Sequence, residues 1–548
     1  MQAPKFSRRS FLKSGVAAAA AASLPGFSLP AQAAAAPIGT VCQTQYGPVQ
    51  GAQQEGHLVW YGIPYGASTA GDARWTAPQA PAPWAAAKDC TVPGAAAYQY
   101  STCALGTEDC LKLDIYTTVK ASKQPVLVYL HSGGNQTGSA QEMPGGTLAE
   151  QLGCVFVALE YRLGVFGFNC LPALCSSPDE TGNFALLDIA KALDWVRDNI
   201  AAFGGDPQNI TVFGFASGAR DVMALLASPL FAGRFQKAIA CSGGMTCADE
   251  NASAETIATA LAPLAVQDGK ALTEAAAKRW LLTTDPAVRA WLCGVDASRL
   301  APLMANASLR MSAFPHLYAD GITLPEGGYL NAQYNNIPTL LLTGADEFNA
   351  TARWDSWFSS EDAKRFSADE LEASKQFAAT YGSALYRVFN TRSSAEVIAA
   401  RSDAPLYLGQ IEYGSSASRT QIPLLGSFQG ICLPMLSGSN PYVGWADLSG
   451  AGYQAMAGQF RQYLKNFIID GDPNGKKLLS SSTKWPCWTP GSPALLVLDA
   501  DADSAVVQCA AQTETKESLL AALEADNTLS PALKQAVVEN VLQGRFFY

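Results

Sequence analysis

The sequence predicts an α/β protein: a central, mostly parallel sheet covered by helices on both faces, with an N-terminal antiparallel β-region. Two observations predict it. Short β-branched or aromatic runs, each ending in turn residues, alternate along the chain with helical patterns. One of those patterns, GNFALLDIAKALDWVRDNIAAFGGDP from Gly182, sets Leu186, Leu187, Ile189, Ala190, Leu193, Val196 and Ile200 near a 3.6-residue period and closes on a Gly-Gly stop.

The first element is not part of the fold. SRRSFLK (Ser7 to Lys13), an Ala-rich apolar run and AQA at Ala31 to Ala33 form a charged region, an apolar region and a small-residue cleavage site, the pattern of a twin-arginine secretion signal over residues 1–33. The apolar run is interrupted by SLPG and is short for a membrane span, which favours removal over retention as an anchor. No later stretch is long enough to span a membrane. The expected product is exported, periplasmic or secreted, with the twin-arginine export machinery as its partner in transit.

The signal holds Lys5, Arg8, Arg9 and Lys13, so 37 basic residues less those four leaves 33 against 47 acidic ones, a formal charge of −14. An acidic surface gives no electrostatic reason to bind nucleic acid or anionic lipid. Thirteen cysteines suit an oxidising compartment. The near neighbours Cys103/Cys110, Cys170/Cys175 and Cys241/Cys247 are the expected disulfides, and Cys154 in CVFVALEY reads as a buried thiol. No Cys-x-x-Cys spacing occurs and the chain has three histidines, so neither a metal nor another cofactor is expected.

In the mature chain, 34–548, VCQTQYGPVQGAQQEGHLVWYGIPYG alternates apolar and polar residues between Gly/Pro turns, as antiparallel strands do. LDIYTT, PVLVYLHSGG and CVFVALEYRLG follow as strands, then the amphipathic helix, then NITVFG as a buried strand leading into the helix ASGARDVMALLAS. FQKAIACSGG and IPTLLLTGADE supply two further strands. The tail, 511–548, reads as two polar-faced helices around an Asn-Thr-Leu-Ser-Pro break. One large domain is expected, with its ligand site at the carboxyl ends of the strands.

Several stretches together resemble the type-B carboxylesterases, cholinesterase-like members of the α/β-hydrolase superfamily: YGPVQG, WYGIPYG, TEDCLKLDIYT, YLHSGG, EYRLGVFGF, the long GNF…GGDPQNITVFG block, SPLFAGRF, FIIDGDPNG and WPCWTP, in family order from Val41 to about Cys509. The resemblance implies an α/β-hydrolase fold and a nucleophilic serine, a histidine base and a glutamate. A serine hydroxyl needs a base within hydrogen-bond reach, and the acid holds that base in the right tautomer.

Laid on the family's elbow, Gly-Glu-Ser-Ala-Gly, this chain reads GFASG: Gly214 and Gly218 match, Phe215 stands at the glutamate, Ala216 at the nucleophile and Ser217 at the alanine. Glu347 in LLTGADEF matches the triad acid. LLGSFQGICLP puts Gln429 at the histidine and Cys432 at a nearby glutamate. His57, His131 and His316 all precede Glu347, whereas the family's histidine follows it, and each is read as structural. The resemblance further implies oxyanion donors at the amides of Gly133, Gly134 and Ser217, a pocket including Phe215, Cys432 and Ser242, and a Cys110 partner at Cys90 or Cys103.

Four substitutions at one site remove charge or nucleophilic capacity. The leading expectation is therefore an exported esterase-fold protein without conventional triad hydrolysis, binding an apolar ester-like ligand or a protein. In it, the amide of Gln429 would donate to Glu347 where the imidazole once did. The rival is a carboxylic ester hydrolase with a rearranged nucleophile, Ser217 first and Cys432 a distant second.

Overall fold

The long apolar runs become the middle of an eleven-stranded sheet. The strands are β1 (Ala52–Gln54), β2 (His57–Pro64), β3 (Lys112–Thr117), β4 (Gln124–Leu130), β5 (Val155–Leu159), β6 (Gly205–Phe215), β7 (Lys237–Cys241), β8 (Thr339–Gly344), β9 (Leu406–Ile411), β10 (Ala494–Ala500) and β11 (Ala505–Ala511). Their spatial order is β11-β10-β9-β8-β7-β6-β4-β5-β3-β2-β1. From β10 across to β5 every pairing is parallel, and the pairings at both edges are antiparallel. The N-terminal strands Val41–Thr44 and Gly47–Gln50 form a separate antiparallel hairpin. This computed structural model describes residues 38–175, 181–304, 309–310, 312–476 and 483–548. The signal segment, residues 1–33, lies outside them, and Pro37–Tyr548 forms one compact unit.

The helices that matter to the site are α1 (Phe184–Asn199), α2 (Ser217–Ala227), α3 (Ala368–Val388), α4 (Cys432–Ser437), α5 (Ala451–Asp470), α6 (Lys516–Ala525) and α7 (Pro531–Val537). Alternation along each strand divides the core into two layers. Val126, Val128 and Leu130 of β4 and Val212 of β6 face the layer that α1 closes with Leu186, Ile189, Leu193 and Val196. Leu127, Tyr129, Phe213 and Phe215 face the opposite layer, closed by Met456, Phe460, Leu464 and Phe467 of α5. A third cluster joins Phe377 and Leu385 of α3 to Leu519 of α6, Leu533 and Val537 of α7, and Phe547, so the tail packs on the body of the protein. No helix among the described residues is long and apolar enough to cross a membrane.

Strand order reverses at β4, which has β5 on one side and β6 on the other. In open α/β sheets, the loops leaving two neighbouring strands in opposite directions open a crevice at such a point. Here those loops are HSGG after β4 and GFASG after β6.

Candidate functional site

The turn after β6 is set by close packing. A Cβ on Gly214 would overlap the carbonyl of Gly218, and one on Gly218 would overlap the carbonyl of Leu130 at the end of β4. Between the two glycines the chain turns from strand to helix at a single residue, Ala216, with φ 51° and ψ −109°. That region is costly for any residue with a Cβ. Ala216 therefore occupies the tip of the elbow. Ser217 is already the first residue of α2, 1% exposed, with its Oγ buried and without a hydrogen-bond partner.

The HSGG loop packs beside the elbow. Gly133 has φ 108° and a Cβ there would overlap the carbonyl of Thr137, so the tight turn admits glycine alone. Glu142 fixes the loop from behind: it accepts from the amide of Ser132 (2.8 Å), from the hydroxyl of Ser132 and from the hydroxyl of Tyr129 (2.6 Å). Asn135 ties the loop to α2 by donating to Asp221 Oδ1 at 2.7 Å. Burial pushes the Asp221 carboxyl up to about 7. Among the described residues, the amides of Gly133, Gly134 and Ser217 donate to no protein group. Three free N–H groups on neighbouring turns can bind an oxygen carrying negative charge.

Glu347 follows β8 and is 4% exposed. Its Oε1 accepts from the hydroxyl of Ser242 at 2.6 Å and from the amide of Gly344, and Asn390 approaches Oε2 at 3.4 Å. Burial outweighs these donors and pushes the carboxyl up to about 7. Gln429 does not meet it. The Gln429 amide donates to the Tyr386 hydroxyl (3.1 Å), which itself donates to the carbonyl of Ser242 (3.0 Å). The donor expected from Gln429 is thus supplied by Ser242, which sits one residue past the end of β7 and nearer to the acid.

The other expected pocket residues lie elsewhere. Cys432 opens α4 and places its Sγ 2.9 Å from that of Cys241, where both line a small apolar cavity with Leu127, Phe213 and Leu436. Burial raises the Cys432 thiol well above its usual range, the opposite of an activated nucleophile. Phe215 points into the α5 layer. The structure contains no disulfide. Cys103 is exposed while Cys90 and Cys110 are buried. Cys170 is directed to the carbonyl of Glu250, Cys175 to that of Asn169 and Cys247 to that of Ala248.

None of the histidines reaches the elbow as a base. His131 is stacked on Tyr161 at 4.7 Å and donates from Nδ1 to the carbonyl of Ser132 at 2.7 Å, and burial lowers its pKa. His57 bonds the carbonyl of Glu55 and lies 3.4 Å from Glu150. His316 does line the cleft, but it donates from Nδ1 to the carbonyl of Phe314 and burial pushes its pKa down to about 3, too weak for a general base near neutrality.

A cleft of about 700 Å³ opens beside the elbow, bordered by Gly133, Gly134, Arg220, His316, Arg310 and Asp355 among others. α2 turns Arg220 toward the opening, among apolar side chains such as Trp354 and Phe546. Sequence reasoning passed over Arg220 and Asp221, although a charged pair inside the otherwise apolar ASGARDVMALLAS was the signal: all of α2 is buried. Among the described residues no group of His, Cys, Asp and Glu has the arrangement of a metal site.

Comparison with known proteins agrees with this geometry. Residues 39–290 match the carboxylesterase family, and residues 5–25 match the twin-arginine translocation signal, so the chain carries an export signal to the periplasm or beyond. The para-nitrobenzyl esterase of Bacillus subtilis (strain 168) is 39% identical over 241 residues, 42% of this chain and 49% of the relative. The fumonisin B1 esterase of Sphingopyxis macrogoltabida is 36% identical over 257 residues, 44% of this chain and 47% of the relative. The matched stretches thus span about half the length of these curated relatives. A Geobacillus stearothermophilus carboxylesterase structure superposes with a TM-score of 0.67 at 27% identity, covering 86% of this chain and 97% of its own.

Proposed function

The chain belongs to the carboxylesterase family of the α/β-hydrolase superfamily, and from that premise we propose an exported, non-hydrolysing member that binds an ester-like ligand at its elbow cleft. One observation carries the reading. The residue holding the strained elbow conformation, where a nucleophile is presented to the cleft, is Ala216, a side chain that cannot attack a carbonyl.

The neighbours support it. Ser217 has its hydroxyl buried in the first turn of α2, away from any base, so the rearranged-nucleophile alternative lacks both access and a proton acceptor. Glu347 is held by Ser242, and Gln429 by Tyr386, so the acid has no imidazole to orient. The free amides of Gly133, Gly134 and Ser217 remain as a place for a carbonyl or carboxylate oxygen. We read residues 34–548 as the mature protein, with the signal removed after Ala33.

Turnover of p-nitrophenyl acetate and butyrate by the purified mature protein tests this. The expected rate is that of the buffer blank, and a fluorophosphonate probe leaves no adduct on Ser217 or Cys432. Turnover at ordinary esterase rates that Ser217→Ala abolishes would overturn the proposal.

A further inference from the structure

The cleft wall contains a cation that forms no ion pair among the described residues. Arg220 is 3% exposed, yet among the described residues its guanidinium forms no ion pair and no hydrogen bond. Its guanidinium lies over the Phe546 ring at 4.7 Å, and its Nε is buried without a partner. The protein's other deeply buried guanidinium groups are treated differently: Arg162 is paired with Asp188 at 2.7 Å and Arg74 with Glu108 at 2.6 Å. Leaving a buried charge unpaired is strongly destabilising, so an unpaired arginine facing a cleft is a site waiting for its counter-ion. Asp221, next in sequence, attracts Arg220 electrostatically but forms no ion pair with it; its Oδ1 accepts from Asn135, and burial pushes its carboxyl up to about 7, which weakens it as a counter-ion. Asp355, across the cleft, is already held by Arg545, with Arg310 at 3.8 Å.

We propose that this cleft takes a ligand bearing an organic carboxylate, with Arg220 as its anchor and the Gly133 and Gly134 amides receiving the ligand's ester carbonyl. The assignment rests on the non-hydrolysing reading above and adds the charge class of the ligand. A guanidinium fork matches a carboxylate in two parallel hydrogen bonds. The Gly133 and Gly134 amides beside it suit an ester carbonyl, which inorganic phosphate lacks, so a ligand carrying both groups is favoured over phosphate. Across the cleft, Arg310 and Arg545 share the single carboxylate of Asp355 and leave that wall positive as well, which adds to the attraction for an anion. In a chain of net charge −10, such a local cation also gives selectivity for an anionic ligand that the surface as a whole repels.

Calorimetric titration of the mature protein with monomethyl glutarate, dimethyl glutarate and inorganic phosphate tests this, in wild type and in Arg220→Met. Wild type should bind the monoester at least tenfold more tightly than the neutral diester or phosphate. Arg220→Met should lose that preference while still binding the diester and melting no lower than wild type, since the substitution removes an unpaired buried cation. Arg220→Lys should retain part of the preference. Absence of monoester binding, equal affinity for phosphate, or an unchanged preference in Arg220→Met each overturns the assignment. Release of methanol from the monoester would instead overturn the non-hydrolysing reading, and the Arg220 comparison would remain readable.

Discussion

Replacing Glu347 with glutamine tests whether the acid position still works as part of a charged relay. In a working triad the carboxylate faces an imidazole that becomes positive, and is ionised at neutral pH. Here its contacts are the neutral hydroxyl of Ser242, the amide of Gly344 and Asn390. Burial lifts its pKa from 4.5 to about 7. The folded state thus holds the proton more tightly than the unfolded chain does. Its contribution to stability is fully present below about pH 4.5 and is lost as pH rises through about 7. At about 1.4 kcal/mol for each pH unit, ionising the carboxyl in the fold costs about 3 kcal/mol. A glutamine side chain at this position never ionises. Its oxygen can accept from Ser242 and Gly344, and its amide can reach the Asn390 Oδ1, which is buried and unpaired, after a half-turn of the Asn390 side chain. Glu347→Gln should therefore gain stability relative to wild type on going from pH 5 to pH 8.5, by about 2–3 kcal/mol. Urea unfolding followed by tryptophan fluorescence at the two pH values measures it. A variant that loses stability at pH 8.5, or a difference that ignores pH, would show an ionised, well-partnered carboxylate and refute the reasoning.

Two further substitutions probe the elbow and the neighbouring loop. Ala216→Gly relieves a backbone strain of about 1–3 kcal/mol and gives back about 0.4–1 kcal/mol through the freer unfolded chain. Its urea midpoint should rise, and a fall would mean that the Ala216 methyl contributes packing outweighing the strain. Gly133→Ala places a methyl on the Thr137 carbonyl at φ 108°, so it should cost about 2–5 kcal/mol in the same assay, with an unchanged midpoint showing that the loop is loose.

Local patterns and long-range contacts were not equally legible in the sequence. The run from Leu186 to Ile200 announced α1 because burying one face fixes a period that the residues display. GFASG announced a strand–turn–helix because two glycines are required where the turn meets β4. The register of that turn, with Ala216 and not Ser217 at the tip, was implied by laying GFASG on the elbow of the family the chain resembles. The partners of Glu347 did not. Ser242 and Gln429 compete for a position beside an acid far from both in the chain, and only the end of β7 and the placement of Tyr386 decide between them. The neighbour of Cys241 was hidden for the same reason: its Sγ meets that of Cys432, across the sheet-to-α4 layer. Arg220 was visible as a charge in an apolar helix, but its lack of a partner is a property of everything around it.

The distribution of unpaired polar atoms separates a decayed site from a reassigned one. Where the resemblance places the acid and the base, the side chains are linked: Gln429 donates to Tyr386, Tyr386 to the Ser242 carbonyl, and the Ser242 hydroxyl to Glu347, while Ser217 Oγ and Asn390 Oδ1 stay unpaired among the described residues. Drift after loss of function has no reason to rebuild such a chain, since each unsatisfied buried group costs about 1–3 kcal/mol and an apolar replacement would remove the cost outright. On the cleft wall the opposite holds. Among the described residues, Arg220 Nε and His316 Nε2 are buried without partners, and the Gly133 and Gly134 amides donate to no protein group. An open cation and two open amides beside the linked Glu347, Ser242, Tyr386 and Gln429 are what the proposed non-hydrolysing, ligand-holding reading requires.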